Sequence, residues 1–327
     1  MSRLLITRLN RLSLLSTRLT ASTLTKPSSP ILKTLPLVTP SHLFHTTPTP
    51  HKSDTMGSVG TAAPVRGLPE FSLQGKVIVV SGGGRGLGLT QAEGLLEAGA
   101  IVHVIDRLEK PSEDFDRVAA RAKAELDTSI TYHRADVREQ TTLNTLVEDI
   151  ANKHGRIDGL LAAAGIQQET PALDYTAEDC DRMLGVNVTG VFMTAQAVAR
   201  QMIRLECTGA MVLIASMSGT VANRGLICPA YNASKAAVIQ LARNLASEWG
   251  QHGIRVNTIS PGYIETAMTA GLFETYPERR TDWPKANMLN RISKPEEYRG
   301  SAVFLLSDAS SFMTGADLRI DGGHCAW

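Results

Sequence analysis

Residues 77–88 read Val77-Ile78-Val79-Val80-Ser81-Gly82-Gly83-Gly84-Arg85-Gly86-Leu87-Gly88. A short β-branched run ends in glycines, and an apolar-periodic stretch, 87–98, follows at helical spacing. Strand, glycine turn and helix in that order form a cradle for a pyrophosphate. Glycines let the backbone turn tightly and approach the phosphates, and the helix start offers free N–H groups with a positive dipole end. Alone, such a turn is only a tight loop. Here the next strand, 101–106, ends on Asp106, 18 residues after Gly88, where a carboxylate can accept hydrogen bonds from both ribose hydroxyls of an adenosine. Asp106 therefore favours NAD, because a carboxylate repels a 2′-phosphate. Arg85 in the loop and Arg107 beside Asp106 pull toward NADP, since either could hold that phosphate. NAD is the expected cofactor and NADP the second choice.

Outward from this motif, strand and helix patterns alternate to the end of the chain. Strand-like runs fall at 130–136, 157–165, 210–218, 254–262 and 316–323; helical periodicity falls at 117–126, 140–154, 177–205, 231–252 and 295–306. The 177–205 stretch reads as one long buried helix. Strands that alternate with helices of ten or so residues imply a parallel sheet covered on both faces, since right-handed crossovers place the helices there. The expected fold is a single α/β domain over 66–327, a doubly wound Rossmann-type sheet of about seven strands.

Residues 1–65 are set apart by composition. Seven Lys or Arg and no Asp or Glu occur before Asp54, with Arg3, Arg8, Arg11 and Arg18 spaced among leucines, serines and threonines. An amphipathic, arginine-rich, acid-poor leader is the pattern of a mitochondrial presequence and implies import into the matrix, while Met56 offers a start for a shorter cytosolic form. Removing the leader's charges leaves 26 basic against 32 acidic residues, a balance that argues against nucleic acid as a partner. No apolar run reaches the length of a membrane span. The four cysteines, Cys180, Cys207, Cys228 and Cys325, lack metal-ligand spacing and read as reduced thiols; no metal is expected.

The residues for chemistry stand further on. Tyr231 and Lys235 open the 231–252 helix four residues apart, on one helical face. Free tyrosine ionises near 10, and a neighbouring ammonium, helped by the positive nicotinamide ring, is expected to lower that value so that the phenol can exchange a proton at neutral pH. Ser216, at the end of the fifth strand, is placed to hydrogen-bond a substrate oxygen. Asn187, a polar residue inside an apolar helix, is expected to orient Lys235 through water. Each alone has a plain structural reading: a surface pair, a turn former, a local cap. Their order, and the elements they sit on, point to proton and hydride exchange at an alcohol or ketone.

With these residues in place, the chain from about Leu73 onward resembles the short-chain dehydrogenase/reductase family. Ser81, Gly82, Gly86 and Gly88 match the family's glycine motif, and Asn187, Ser216, Tyr231 and Lys235 its catalytic tetrad. The resemblance implies that Asp136 and Val137 contact the adenine. It further implies that Ala164 and Gly165 line the nucleotide, that Lys235 holds the nicotinamide ribose, and that Pro261, Gly262, Ile264 and Thr266 bind the carboxamide side. Ala162-Ala163-Ala164-Gly165 stands where the family usually has Asn-Asn-Ala-Gly, so side-chain amides are missing there. Within the family, Ala215–Gly219, Tyr231–Val238, Ser260–Ile264 and the ending Asp321-Gly322-Gly323 with Trp327 are most similar to fungal polyol dehydrogenases and sorbose reductases. That likeness implies a sugar alcohol/ketose pair as substrate and a homotetramer built on paired long helices. The lobe at 265–290, with Phe273, Tyr276 and Trp283, would read the substrate. Two other readings stay open: an NADPH-dependent 3-oxoacyl reductase, and a dinucleotide sensor without turnover.

Overall fold

In the computed structural model, residues 67–327 are described; the expected leader, its boundary at 65 and the alternative start at Met56 lie outside them. The chain runs through β1 (Val77–Ser81), α1 (Gly86–Glu97), β2 (Ile101–Asp106), α2 (Glu113–Glu125), β3 (Ile130–Arg134), α3 (Gln140–His154) and β4 (Gly159–Ala162). It continues through α4 (Ala177–Leu184), α5 (Val191–Arg204), β5 (Gly209–Ile214), α6 (Pro229–Trp249), β6 (Ile254–Pro261), α7 (Ala267–Thr275), α8 (Arg279–Lys285), α9 (Arg299–Leu306) and β7 (Asp317–Ile320). The seven strands form one sheet in the order β3-β2-β1-β4-β5-β6-β7, every neighbouring pair parallel. This is the expected Rossmann-type architecture.

The alternation of side chains along β1 shows why both faces must be covered. Val77 and Val79 enter a core with Leu143, Val147 and Ile150 of α3, Val198 of α5 and Val238 of α6. Ile78 and Val80 enter the opposite core, with Leu95 and Leu96 of α1, Val118 of α2 and Leu305 of α9. Each fully buried aliphatic side chain contributes about 1.5–3 kcal/mol of transfer free energy, so a strand that is apolar on both sides is stable only between two helical layers. The chain reverses direction across the sheet between β1 and β4, and ligands of such sheets bind at that switch, beyond the carboxyl ends of the strands.

Two boundaries differ from the sequence pattern. Helix α2 starts at Glu113, not 117, because Ser112 bonds back to Gly84 and Glu113, Asp114 and Asp116 suit the positive helix start. The expected single helix over 177–205 is interrupted by a π-helical turn, Gly185–Gly190, between α4 and α5. Periodicity cannot show that turn, since its flanks keep helical spacing; π-turns of this kind frequently occur at functional sites. Among the described residues no helix is long and apolar enough to cross a membrane.

Candidate active site

The glycine loop leaves β1 and folds back under its own helix. Gly82 has φ of 71°, and a Cβ there would stand 2.5 Å from the backbone nitrogen of Ala164. A Cβ on Gly88 would stand 2.3 Å from the Gly82 carbonyl oxygen. Both gaps are closed to any side chain, so the loop, α1 and the turn after β4 form a backbone-walled hollow at the switch point. Gly86 begins α1 with φ of 58° and open space where a Cβ would be; Arg85 before it is exposed, and Leu87 is half-buried. The Ser81 hydroxyl is buried beneath the loop and has no partner among the described residues.

Asp106 closes one side of this hollow. Its carboxylate accepts from the Gly84 N–H at 3.1 Å and from the Leu108 N–H at 3.3 Å, and Arg107 beside it is exposed. Beyond the ends of β2 and β3 lies a groove of about 670 Å³ lined by Arg107, Leu108, Arg134, Ala135, Asp136, Glu139 and Thr142. Asp136 is held by the Arg138 guanidinium and backbone, which keep its carboxyl below the usual range. Val137 turns into the core against Gly190. The set suits an adenosine: a carboxylate at ribose depth, a polar groove beside it and a backbone hollow for the diphosphate.

On the other side of the switch, Ser216 starts a tight turn after β5, its Oγ accepting from the Ser218 N–H at 3.1 Å. Gly219 ends that turn against α6: a Cβ there would stand 2.7 Å from the Lys235 carbonyl carbon. This close approach sets Ser216 beside Tyr231, and it is a positioning contact that the motif reading missed. Pro229 starts α6, two residues before Tyr231. Lys235 is 5% exposed, lies 5.6 Å from the Tyr231 ring centroid, and donates from Nζ to the Ile214 carbonyl at 2.8 Å.

The expected acidification of the phenol by the lysine does not arise from the chain's own groups. Burial pushes Tyr231 up to about 12, while an interaction with Ser216 works in the opposite direction. Burial draws Lys235 down to about 8. Desolvation disfavours both charged forms and is the largest cause of each shift.

Asn187 sits in the π-turn and is fully buried. Its Nδ2 donates to the Ile166 carbonyl at 2.9 Å and to the Ser234 hydroxyl at 3.0 Å, and its Oδ1 accepts from the Ile166 N–H at 2.9 Å. Ser234 in turn donates to the Tyr231 carbonyl at 2.7 Å. Asn187 thus ties the segment after β4 to the first turn of α6, and among the described residues it makes no direct hydrogen bond to Lys235. Both groups flank Gly165: a Cβ there would lie 3.4 Å from Asn187 Oδ1 and 3.6 Å from Lys235 Nζ. Ser234 is a further residue that sequence reasoning missed; its signal is the unbroken Tyr-Asn-Ala-Ser-Lys run itself.

Pro261 ends β6, and Gly262 packs so closely on Asp321 that a Cβ would stand 2.7 Å from its Cα. Ile264 bridges to Ser293, and Thr266 caps α7 reciprocally with Thr269. The lobe behind them is an aromatic stack: Tyr263 lies on Trp283 with centroids 4.2 Å apart, and Phe273 meets the same indole edge-on at 5.3 Å. Arg279 covers Tyr276 at 4.0 Å and forms a two-bond ion pair with Glu169 at 2.8 and 2.7 Å. Neither Glu169 nor Arg279 belongs to a motif, and their separation by 110 positions leaves no local pattern to find them by.

Comparison with known proteins agrees with this geometry. The family model described as enoyl-(acyl carrier protein) reductase matches residues 82–324. A short-chain dehydrogenase/reductase of Aspergillus versicolor, notP', is 41% identical over 79% of this chain and 89% of its own length. The ribulose-forming D-arabinitol 2-dehydrogenase of Candida albicans is 36% identical over 80% of this chain and 96% of that protein. Among solved structures, a gluconate 5-dehydrogenase from Burkholderia cenocepacia in complex with NADP and tartrate matches with a TM-score of 0.72 at 34% identity, covering 79% of this chain and 98% of that one.

Proposed function

Since the chain belongs to the short-chain dehydrogenase/reductase family and is thereby a nicotinamide-dependent oxidoreductase of alcohol groups, we propose that it interconverts a secondary alcohol of a sugar alcohol and the corresponding ketose. The observation that carries this is the meeting of Tyr231, Ser216 and Lys235 at the carboxyl end of the sheet, on the far side of the β1/β4 switch from the glycine hollow. The likeness to D-arabinitol 2-dehydrogenase supports the substrate class.

A bound nicotinamide nucleotide takes up or supplies the hydride at the substrate carbon. The glycine loop from Ser81 to Gly88, with Asp106, Arg107, Asp136 and Val137, would hold its adenosine and diphosphate. Ala164, Gly165, Lys235, Pro261, Gly262, Ile264 and Thr266 would hold its other end. Ser216 hydrogen-bonds the substrate oxygen and steadies the charge that develops there. Tyr231, pushed up to about 12, is a neutral phenol at physiological pH and so is set to donate a proton in ketone reduction. In alcohol oxidation its hydroxyl must release a proton, and among the chain's own groups the interaction with Ser216 works toward that phenolate. Asn187 and Ser234 keep the first turn of α6 in register with the segment after β4.

NAD is the preferred cofactor in this reading, because the Asp106 carboxylate would repel a 2′-phosphate. The protein acts in the mitochondrial matrix after removal of its leader, and it assembles as a homotetramer. The test is a panel of D-arabinitol, other polyols, ketoses and a β-ketoacyl thioester, assayed with NAD(H) and NADP(H) on the chain lacking residues 1–65. Polyol oxidation with NAD is expected; turnover of the thioester alone would overturn the substrate class.

A further inference from the structure

The segment after β4 runs alongside the candidate chemistry. Asn187 holds Ile166 by both backbone groups, and the Thr170 N–H donates to the Ile227 carbonyl at 3.0 Å. Glu169 is therefore fixed next to the Ile227–Cys228 pair, and Cys228 stands one helical turn before Tyr231. The buried Cys228 thiol feels Glu169 and Arg279 on one side, and Tyr231 feels Cys228 on the other. Tyr263, on the substrate side of β6, also feels Cys228, Arg279 and Glu169. The Thr170–Ile227 bond and the Glu169–Arg279 pair bring this group together near the start of α6.

In that group the Arg279 guanidinium covers Tyr276 at 4.0 Å and lies 5.6 Å from the Trp283 ring centroid, with 10% of its side chain exposed against 18% for Glu169. Both Glu169 oxygens are taken up by the two guanidinium nitrogens in fork geometry. No other side chain among the described residues donates to Glu169. A carboxylate has about four acceptor sites, so it keeps acceptor capacity for hydroxyl donors while cancelling the arginine's charge.

We propose that the Glu169–Arg279 pair is the charge filter of the substrate site: it presents neutral polyols with hydroxyl acceptors and denies a sugar acid the cation that its carboxylate would need. The inference rests on the polyol reading and names the residues that set the substrate's charge. It follows from the asymmetry of a nearly buried pair. Removing the acid leaves a guanidinium with little water and no counter-ion, which is the strongest available attractor for a substrate carboxylate. A mere tether between the segment after β4 and α8 makes a different prediction, because loosening it would weaken all substrates alike.

The test compares D-arabinitol with D-gluconate in the unaltered enzyme, in Glu169→Gln and in the double variant Glu169→Gln/Arg279→Gln. The ratio of kcat/KM for gluconate to that for arabinitol should rise about ten-fold or more in Glu169→Gln, the scale of one charge-assisted hydrogen bond, and return to its starting value in the double variant. An unchanged ratio in Glu169→Gln, or a rise that persists without Arg279, overturns the filter. If the unaltered enzyme oxidises no polyol but Glu169→Gln gains gluconate turnover, the polyol reading falls and the filter stands. If arabinitol is oxidised and the ratio stays fixed, the polyol reading stands and the filter falls.

Discussion

The nucleotide half of the site and the substrate lobe are built by different means. Around the glycine hollow the walls are backbone: Gly82 against Ala164, Gly88 against Gly82, the Gly84 N–H on Asp106. In the lobe the walls are side chains brought from distant segments, Tyr263 on Trp283 and Glu169 on Arg279. A backbone wall constrains residue type almost completely, because only glycine leaves the space, whereas a side-chain wall can be exchanged without disturbing the sheet. One fold can therefore keep its cofactor and change its substrate.

The largest effect should come from the residue proposed to move the proton. Tyr231→Phe removes the proton donor and leaves the ring's packing, so kcat should fall by about 10³-fold, within the range of lost general acid catalysis, with nucleotide affinity unchanged. Steady-state rates and a nucleotide-fluorescence titration measure the two separately. Weak nucleotide binding in this variant would show that the halves are not separable at the phenol. Next in size, Gly88→Ala should break the nucleotide half alone. Its Cβ would enter the space of the Gly82 carbonyl oxygen, and such overpacking typically costs about 1–3 kcal/mol. Nucleotide dissociation constants should rise about ten-fold or more, and the Tm should drop.

Legibility followed the same division. The strand–glycine–helix unit, Asp106 and the Tyr231/Lys235 pair could be read because their function depends on neighbours within a few residues or on strand and helix periods. The two helices of the substrate lobe, α7 and α8, gave no periodic signal. They are short, Pro284 lies inside the second, and their stability comes from the Trp283 stack rather than from an amphipathic face. The π-turn at Asn187 was invisible for a related reason, since a shift of helical phase leaves little mark in a stretch that is mostly apolar. The sequence displays the ammonium near Tyr231 but not the burial that opposes it. Glu169 and Arg279 lie 110 positions apart, and only the folded chain shows their meeting.

A smaller effect is expected from cofactor choice. Asp106→Ser removes the carboxylate that, in the proposed reading, would repel a 2′-phosphate, and it keeps Arg107, which could meet one. The preference for NAD over NADP should fall about ten-fold, the size of one charge-assisted contact, read as the ratio of the two kcat/KM values. The polyol panel should keep its order in this variant, since the substrate lobe is untouched. A changed order would mean that the two halves communicate through the sheet.

The last effect concerns mild acid, is read in stability rather than activity, and again separates the halves. His103 of β2 is buried between His133 of β3 and His154 of α3, with ring nitrogens 2.9 and 2.8 Å apart. Burial, then the neighbouring His133, His154 and Lys153, draws His103 down to about 3. An unfolded histidine binds a proton below about 6.5. Between those values the unfolded chain therefore binds more protons than the folded one, and stability present above pH 6.5 is lost as the pH falls. At 1.36 kcal/mol per unit, the loss approaches about 2 kcal/mol by pH 5. Amide exchange in β2 and β3, corrected for intrinsic rates, should accelerate between pH 7 and 5. His103→Gln should flatten that dependence, because the amide does not titrate. If the exchange profile of these strands keeps its acid slope in the variant, the histidine trio is not what makes the nucleotide half sensitive to pH.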